Sequence, residues 1–364
     1  MLRKTIETRL RKSGPDEGLG DFTLSFLERL YAKATEKRNR DFDAGKKVQK
    51  LSRPVISIGN LVAGGTGKTP MARAIARILS DMDFSVAILS RGYGGKYEKK
   101  GGRVSDGKNI FLSAREAGDE PYLLAKTSPA SVYVGRERYR SGLQAVKDGA
   151  EILLLDDGFQ HRRLYRDLDI LLMDAKMPLG NGRLLPRGLL RESPWGINRG
   201  DALVFTRSES SSENPLEQIK AFTRTSFAEK TRCFQAGESL LWCNDCAPDP
   251  GEKILAFSGI ADPGNFFQSL QEKGFELKAF RAFPDHHRYG KKDLFEILSE
   301  AETLKVGTLV TTAKDAVKIP EDFFSSFNLY VADVAPVFFD AERFEHWLRE
   351  KVFSILGKKG GEPK

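Results

Sequence analysis

The stretch Ser57–Pro70, SIGNLVAGGTGKTP, ends a run of mostly β-branched residues and opens a helix. In its GGTGKT portion, small residues let successive backbone N–H groups turn inward, and the following helix adds its positive N-terminal end. Such a loop is typical of nucleotide binding, in which the lysine reaches the β and γ phosphates and the threonine ligates Mg²⁺. The residues predicted to bind phosphate are Gly64, Gly65, Thr66, Gly67, Lys68 and Thr69.

The flanks of this loop support the interpretation, although the loop is a variant. Val62 stands where the pattern GxxxxGK[ST] has its first glycine. The preceding VISI predicts a strand, and the following MARAIARILS predicts a helix with one apolar face. Pro70 fits the first helical turn, where a missing N–H costs nothing. A plain glycine turn is the alternative, but a lysine and a threonine directly after the glycines argue against it.

A phosphate loop of this kind needs a carboxylate at the end of a neighbouring buried strand to serve Mg²⁺. The segment ILLLDDGFQH, Ile152–His161, supplies it, because four aliphatic residues lead into Asp156 and Asp157. The segment DILLMDA competes, but its Asp174 has no polar cluster after it. We therefore predict that Asp156 and Asp157 hold the metal together with Thr69.

Composition limits the possible function classes. The chain has 364 residues, 40% of them hydrophobic and 30% charged, and a net charge of +8. This charge indicates an anionic partner. The chain has no basic tract with interleaved aromatic residues, so nucleic-acid binding is not predicted. The N-terminus lacks the apolar core of a signal peptide, and no uncharged run approaches a membrane span, so we expect a cytoplasmic location. The Cys243 and Cys246 pair lacks further ligands at metal-binding spacing and is interpreted as a turn, with a metal or redox centre as the alternative.

Apolar strands alternate with helical patterns along most of the chain, which predicts an α/β fold. We expect a P-loop NTPase-like parallel sheet covered by helices, with a second, smaller α/β domain. The predicted segments are an N-terminal amphipathic helical segment (1–45), a P-loop core (46–206), a linker or hairpin region (207–250), the smaller domain (251–355) and a disordered tail (356–364).

The N-terminal segment carries an apolar stripe at helical spacing, formed by Phe22, Phe26, Leu27, Leu30, Tyr31 and Ala34. One interpretation is that the stripe packs onto the P-loop core. The other is an interfacial helix, whose apolar residues and nearby lysines and arginines rest in anionic lipid headgroups. The sequence alone leaves both open.

Further motifs join the phosphate loop in a recognisable set: SRGYGG at 90, GDEP at 118, DDGFQHRRL at 156, LLPRGLLRE at 184, FPDHHRY at 283 and TTAKDAVK at 311. Together they closely resemble the tetraacyldisaccharide 4'-kinase family of lipid A biosynthesis, in order from about residue 54 to residue 318. The resemblance implies transfer of the γ-phosphoryl group of ATP, with Mg²⁺, to the 4'-hydroxyl of a tetraacyldisaccharide 1-phosphate, which forms lipid IVA. It also implies peripheral attachment to the cytoplasmic face of the inner membrane of a Gram-negative bacterium.

The resemblance also assigns roles that the residues alone leave open. Asp119 precedes an apolar helix and by itself suggests an N-cap, but the family places a catalytic acid/base here. The family pairs it with a histidine of the second domain, facing it across the active-site cleft, which is His286; an ordinary core or surface histidine is the alternative. Arg191 and Glu192 could belong to a solvated helix face, whereas the resemblance implies anion recognition or, for Glu192, the magnesium shell. The remaining expected substrate-binding residues are Glu120, Gln160, His161 and Asp285.

Two rival functions remain open at the level of sequence. One is a P-loop GTPase or ATPase switch of the chaperone or partitioning type, although the lysine expected before the two glycines is replaced by Ala63. No guanine-selective NKxD appears, because TAKD at 312 has alanine in place of asparagine. The other rival is a nucleotide-gated membrane adaptor without kinase activity.

Overall fold

The computed structural model describes residues 19–210, 214–223, 232–243, 246–320 and 323–360. Its helices are α1 (Leu19–Asp43), α2 (Lys68–Ser80), α3 (Ala114–Ala117), α4 (Asp119–Thr127), α5 (Arg138–Lys147), α6 (Pro215–Thr223), α7 (Pro263–Glu272), α8 (Lys291–Thr303), α9 (Ala313–Ala316) and α10 (Ala341–Gly360). Its strands are β1 (Val55–Gly59), β2 (Val86–Ser90), β3 (Gly102–Ser105), β4 (Ser131–Val134), β5 (Ile152–Asp156), β6 (Leu168–Asp174), β7 (Ala202–Thr206), β8 (Arg232–Trp242), β9 (Lys253–Ser258), β10 (Glu276–Ala282), β11 (Thr308–Thr312) and β12 (Asn328–Phe338).

In the described part of the chain these strands form a single 12-stranded sheet in the order β10-β9-β11-β12-β8-β7-β6-β1-β5-β2-β4-β3. We call strands β1 to β7 with their helices the P-loop half, and strands β9 to β12 with theirs the C-terminal half. β1 lies between β5 and β6 and pairs with both in parallel. The carboxyl ends of these strands therefore meet at one edge, where ligands bind in open α/β sheets.

The P-loop half is covered on both faces, which explains why its strands are continuous apolar runs. Every residue of β1, β2 and β5 is buried. On one face, Met71 of α2, Leu124 of α4 and Leu348 of α10 belong to one apolar cluster. On the other face, Ala145 of α5 packs with Leu153. The prediction of a helix-covered parallel α/β sheet is thus confirmed.

The strand β8 joins the two halves. Its residues Arg232–Gln235 pair in parallel with β7, and its residues Ala236–Trp242 pair antiparallel with β12. The C-terminal half then repeats the layered plan, with β9 parallel to both β10 and β11. Helix α7 packs on one face of this sheet and α8 on the other.

Helix α1 docks on the P-loop half through polar groups. The Tyr31 hydroxyl donates to the Arg191 carbonyl oxygen at 2.8 Å, and Asn39 Nδ2 donates to Glu192 Oε2 at 2.8 Å. The backbone N–H of Leu184 donates to Glu28 Oε1 at 2.9 Å. Apart from Tyr31, the apolar stripe faces outward, and Phe22 and Phe26 are 79% and 57% exposed. None of the described helices combines the length and apolar composition that spanning a bilayer requires.

The structure corrects two features of the expected segments. The predicted linker or hairpin region, 207–250, contains the long central strand β8, which sequence reasoning missed because its alternation is irregular. The tail predicted to be disordered from residue 356 is helical to Gly360, because Lys359 anchors the end of α10. Residues 1–18 of the N-terminal segment and residues 361–364 of the tail lie outside the described residues.

Candidate active site

The phosphate loop lies between β1 and α2, as its sequence predicts. Gly64 and Gly67 have φ values of 128° and 75°, in the left-handed region that favours glycine. A Cβ at Gly64 or Gly65 would meet no protein atom within 4 Å, so this side of the loop is open to a ligand. Buried Asn60 donates through Nδ2 to Thr66 Oγ1 at 2.8 Å, which ties the loop to the end of β1.

Lys68 is the first residue of α2, and its ammonium lies over the loop. Its Nζ donates to the Gly64 carbonyl oxygen at 3.2 Å and lies 3.9 Å from Asp157 Oδ1. Burial lowers its pKa, against the opposing effect of Asp157. A partly desolvated ammonium beside a phosphate-binding loop attracts anionic oxygens strongly, because water screens it little.

Asp156 and Asp157 lie side by side at the carboxyl end of β5. Burial, with further contributions from Glu120 and Asp157, raises the pKa of Asp156 to about 7. Burial alone would also raise the pKa of Asp157, but Lys68 and Arg191 outweigh it and hold this pKa below its ordinary value. Arg191 Nη1 donates to both Asp157 carboxylate oxygens at 2.9 Å.

These residues fit a magnesium ion. The buried Oδ1 atom of Asp156 has no hydrogen-bond partner among the described residues, and Thr69 is the second residue of α2, directly after the phosphate loop. The described residues contain no group of three or more His, Cys, Asp or Glu side chains with metal-binding geometry. Mg²⁺ does not need such a group, because it is usually held by one or two carboxylates, phosphate oxygens and water.

The carboxylate of Glu192 is buried and forms the centre of a hydrogen-bond network. Its side chain is 1% exposed and accepts hydrogen bonds from Asn39 at 2.8 Å, Arg199 at 2.8 Å and Gln160 at 3.1 Å. Gln160 Nε2 also donates to the Asn60 carbonyl oxygen at 2.8 Å, and its Oε1 accepts from Arg191. The network connects α1 to the phosphate loop. A magnesium role for Glu192 stays a prediction.

His161 lies in the same region and is largely buried. Burial, followed by the charges of Arg138 and other arginines, lowers its pKa to about 4. The imidazole is therefore neutral at pH 7, which suits hydrogen bonding more than charge pairing. The competing aspartate of the sequence, Asp174, instead accepts from Arg207 Nη2 at 2.6 Å, and this nitrogen also donates to Gly65 O at 3.1 Å.

Asp119 and His286 meet across the two halves of the molecule, although they are far apart in sequence. Asp119 begins α4, and its Oδ2 lies 3.7 Å from His286 Nδ1. His286 has φ 59°, and its backbone N–H donates to the Gly259 carbonyl oxygen at 3.1 Å. Burial would raise the pKa of Asp119, but His286 and nearby lysines lower it. The neighbouring His287 turns away and contacts Asp293 at 3.1 Å.

The structure adds Lys314, a residue to which sequence reasoning gave no role. Its Nζ lies 3.4 Å from Glu120 Oε1, 3.7 Å from Asp285 Oδ1 and 3.4 Å from His286 Nε2. The signal that the sequence offered was its position two residues after the buried strand β11, in TTAKDAVK. The structure thus brings Glu120 and Asp285 to one cluster with the Asp119 and His286 pair.

Comparisons with known proteins point to one family. The family model described as tetraacyldisaccharide-1-P 4'-kinase matches residues 21–353. The chain is 44% identical over 302 residues to the tetraacyldisaccharide 4'-kinase of Geobacter metallireducens, covering 81% of this chain and 88% of that protein. It is 39% identical over 364 residues to that of Desulfatibacillum aliphaticivorans, covering 96% and 98%. The crystal structure of LpxK from Aquifex aeolicus in complex with ATP is similar, with a TM-score of 0.71 and 34% identity, covering 90% of this chain and 97% of that chain.

Proposed function

This chain belongs to the tetraacyldisaccharide 4'-kinase family, and from that premise we propose that Lys68, Asp119 and His286 carry out its reaction. The enzyme is a lipid kinase that phosphorylates the 4'-hydroxyl of tetraacyldisaccharide 1-phosphate with ATP and forms lipid IVA, and the family match favours this function over a GTPase or ATPase switch.

On the phosphate side, the chain clamps the nucleotide and balances charge. The backbone N–H groups of Gly64–Thr69 and the ammonium of Lys68 bind the β and γ phosphates. Arg191 stands beside Asp157 and stabilises the charge that spreads over the transferring group. Thr69, Asp156 and Asp157 would hold Mg²⁺, which neutralises phosphate charge when bound.

On the acceptor side, the Asp119 and His286 pair orients the 4'-hydroxyl and removes its proton. The carboxylate of Asp119 stays ionised near neutral pH because its pKa is lowered. The separation of 3.7 Å between Asp119 Oδ2 and His286 Nδ1 is longer than a hydrogen bond, and catalytic contacts of this kind often tighten when substrate binds. Glu120 and Asp285 lie in the same cluster, and together with Gln160 and His161 on the phosphate side they would bind the disaccharide.

A single observation carries the proposal: an aspartate of the P-loop half and a histidine of the C-terminal half meet at the carboxyl edge of the sheet that presents the phosphate loop. The test is transfer of label from γ-³²P-ATP to detergent-dispersed tetraacyldisaccharide 1-phosphate. We expect Asp119→Asn and His286→Asn each to lower kcat by roughly 10²- to 10⁴-fold, because proton transfer is lost. Lys68→Ala should abolish transfer.

The matched control is His287→Asn, because His287 is adjacent in sequence but contacts Asp293 instead of Asp119. This variant should keep most of the activity. Full activity of Asp119→Asn would rule out the proposed proton transfer.

The membrane location is part of the same proposal. Polar side chains of helix α1 form hydrogen bonds with the P-loop half. Its apolar residues Phe22, Phe26, Leu27 and Leu30 are exposed. Apolar residues on an exposed helix, with lysines and arginines nearby, suit the headgroup region of an anionic membrane. A substrate with four acyl chains resides in that membrane. We therefore place the enzyme at the cytoplasmic face of the inner membrane, held peripherally through α1.

A further inference from the structure

The lysine that follows β11 lies against the ring of His286. Lys314 is the second residue of α9, and its Nζ lies 3.4 Å from His286 Nε2. The same ammonium lies near two carboxylates, Glu120 of α4 and Asp285 of the loop after β10. Its side chain is 23% exposed, so it is held in the cleft between the two halves.

The chemistry of this contact selects one form of the imidazole. An ammonium group has three donors and no acceptor, so a nitrogen that binds it must offer a lone pair. His286 Nε2 is then unprotonated, and the ring proton lies on Nδ1, which faces Asp119 Oδ2 at 3.7 Å. A neutral imidazole with this tautomer directs its N–H toward Asp119 and leaves that carboxylate ionised.

We propose that Lys314 is a positioning residue that fixes the tautomer and orientation of His286 for phosphoryl transfer. This inference rests on the proposed roles of Asp119 and His286 and extends them by a third member. In this arrangement Asp119 receives the proton of the 4'-hydroxyl, and His286 steadies the carboxylate through Nδ1–H. The residue that sets a histidine tautomer commonly acts through the other ring nitrogen.

A buried carboxylate on α9 connects the segments that carry Lys314 and His286. Asp315 is fully buried, and its carboxylate accepts from the Gly259 N–H at 2.9 Å and from Lys318 Nζ at 2.9 Å. The Gly259 carbonyl oxygen in turn accepts from the His286 N–H at 3.1 Å. The loop that carries His286 and the helix that carries Lys314 therefore share one rigid support, as a preorganised site requires.

The Asp119 carboxylate at Nδ1 favours the same tautomer, whereas the Asp285 carboxylate near Nε2 opposes it, so the ammonium of Lys314 decides between the two. Asp119 Oδ2 lies 3.7 Å from Nδ1, Asp285 Oδ2 lies 3.9 Å from Nε2, and Glu120 of α4 lies 3.4 Å from Lys314 Nζ. Lys318 of the segment after α9 adds positive charge near Asp119. Lys314 is the cation placed at Nε2. Without it, Nε2 is free to take the proton, and Nδ1 then turns a lone pair toward the carboxylate of Asp119.

The test combines nitrogen NMR with kinetics on the full chain. The four histidines are labelled with ¹⁵N, and the signals of His286 are identified by their loss in His286→Asn. We expect the wild type to show a protonated Nδ1 and an unprotonated Nε2 at neutral pH. Lys314→Met, which keeps the aliphatic length without the charge, should shift His286 toward the Nε2-protonated form.

The kinetic readout is transfer of labelled phosphate to the lipid. Lys314→Met should lower kcat by roughly tenfold or more and leave the KM for ATP unchanged, because general acid–base catalysis depends on geometry and protonation state. Lys314→Arg keeps the charge and the donors and should recover much of the activity. Lys291→Met, an exposed lysine at the start of α8, is the matched control and should behave as the wild type.

The outcomes separate this inference from the proposed function. If Lys314→Met keeps the wild-type tautomer and kcat while Asp119→Asn is inactive, the inference is wrong and the proposed function stands. If the wild type labels no lipid, or Asp119→Asn is fully active, the proposed function fails, and the NMR measurement still decides the Lys314 contact. Thermal unfolding of each variant shows whether a loss of activity reflects misfolding. If Lys314→Met does not fold, Lys314→Arg is compared with the wild type in its place.

Discussion

Asp156 and Asp157 are neighbours in sequence but differ in protonation behaviour. Asp156 is buried beside two other carboxylates, so its pKa rises to about 7, whereas Lys68 and Arg191 keep the pKa of Asp157 low. Two carboxyl groups with separated pKa values are a recurring feature of catalytic sites. Here the pair offers one firmly ionised carboxylate and one buried oxygen without a partner, both beside the phosphate loop.

His161 gives a prediction on the pH dependence of stability. Its pKa falls from the ordinary 6.5 to about 4 in the folded chain. Between these values the unfolded chain binds a proton that the folded chain does not, so acidification favours unfolding. The contribution of His161 is complete above pH 6.5 and is lost as pH falls to about 4. It amounts to at most about 3 kcal/mol.

Urea denaturation at pH 7.5 and at pH 4 measures this effect. The wild type should lose more free energy of unfolding between the two conditions than His161→Gln, which cannot titrate there. Equal losses in the two proteins would show that His161 is protonated in the folded state at the lower pH.

At the scale of elements, helix α1 contacts the P-loop half on one side and exposes apolar residues on the other. Its hydrogen bonds from Tyr31 and Asn39 reach Arg191 and Glu192, and its exposed aromatic residues lie on the opposite side. The interpretation that the stripe packs on the core holds for Tyr31 but does not match the exposed Phe22, Phe26, Leu27 and Leu30. Removal of the whole helix would also disturb the Glu192 network, so point substitutions test membrane binding more cleanly.

We expect Phe22→Ser with Phe26→Ser to reduce sedimentation with anionic vesicles, because each buried aromatic side chain contributes roughly 1.5–3 kcal/mol to apolar transfer. The ATP affinity should stay unchanged. Phe353→Ser on α10 is the control, since Phe353 is also an exposed aromatic residue, 54% exposed, on a different helix. Undiminished sedimentation of the double variant would remove α1 from the membrane proposal.

The end of α10 shows how a single side chain orders a terminal helix. Lys359 Nζ donates to the Arg53 carbonyl oxygen at 2.8 Å and lies 3.0 Å from Asp167 Oδ2. The two side chains of the ion pair are part-buried. Loss of the ammonium therefore leaves the Asp167 carboxylate and the Arg53 carbonyl oxygen without this donor. We expect Lys359→Met to lower the free energy of unfolding by roughly 1–3 kcal/mol.

The exposed neighbour Lys358 provides the control for this prediction, because Lys358→Met removes the same charge from the same helical turn. Its stability should stay within about 0.5 kcal/mol of the wild type. Similar destabilisation by both variants, measured by urea denaturation, would assign the effect to net charge instead of the ion pair.

At the scale of the whole molecule, the strand β8 makes the two halves one continuous sheet. A second connection is the ion pair of Arg73 on α2 with Asp333 on β12, with Arg73 Nη2 also donating to the Val334 carbonyl oxygen at 3.0 Å. The proposed active site lies in the cleft that these connections leave open, where Asp119 faces His286. Small rotations about β8 would therefore change the catalytic distance directly.

We predict that ATP and the lipid together draw the halves closer, which excludes water from the γ-phosphate. Small-angle scattering of the detergent-solubilised enzyme should show a smaller radius of gyration with both ligands than without them. Lys68→Ala, which lacks the phosphate clamp, should show no change with ATP. Identical wild-type curves in both states would contradict closure.

The sequence by itself determined the features that depend on neighbouring residues. The phosphate loop, the buried strands around it and the Asp156 and Asp157 pair follow from local periodicity, glycine placement and side-chain chemistry. The set of motifs was specific enough to indicate the family, and the comparisons confirmed it. Local signals work here because strand and helix patterns repeat over a few residues.

Only the tertiary structure decided which distant residues meet. Glu192 meets Asn39 of α1, β8 joins the two halves, and Lys314 reaches the ring of His286. The sequence could not predict these contacts, because they depend on how separately patterned elements cross in space. The local sequence around a polar residue on a helix does not identify the distant residue that it contacts. For the same reason the motif TTAKDAVK does not by itself indicate the proposed role of Lys314, which depends on its neighbours in the folded chain.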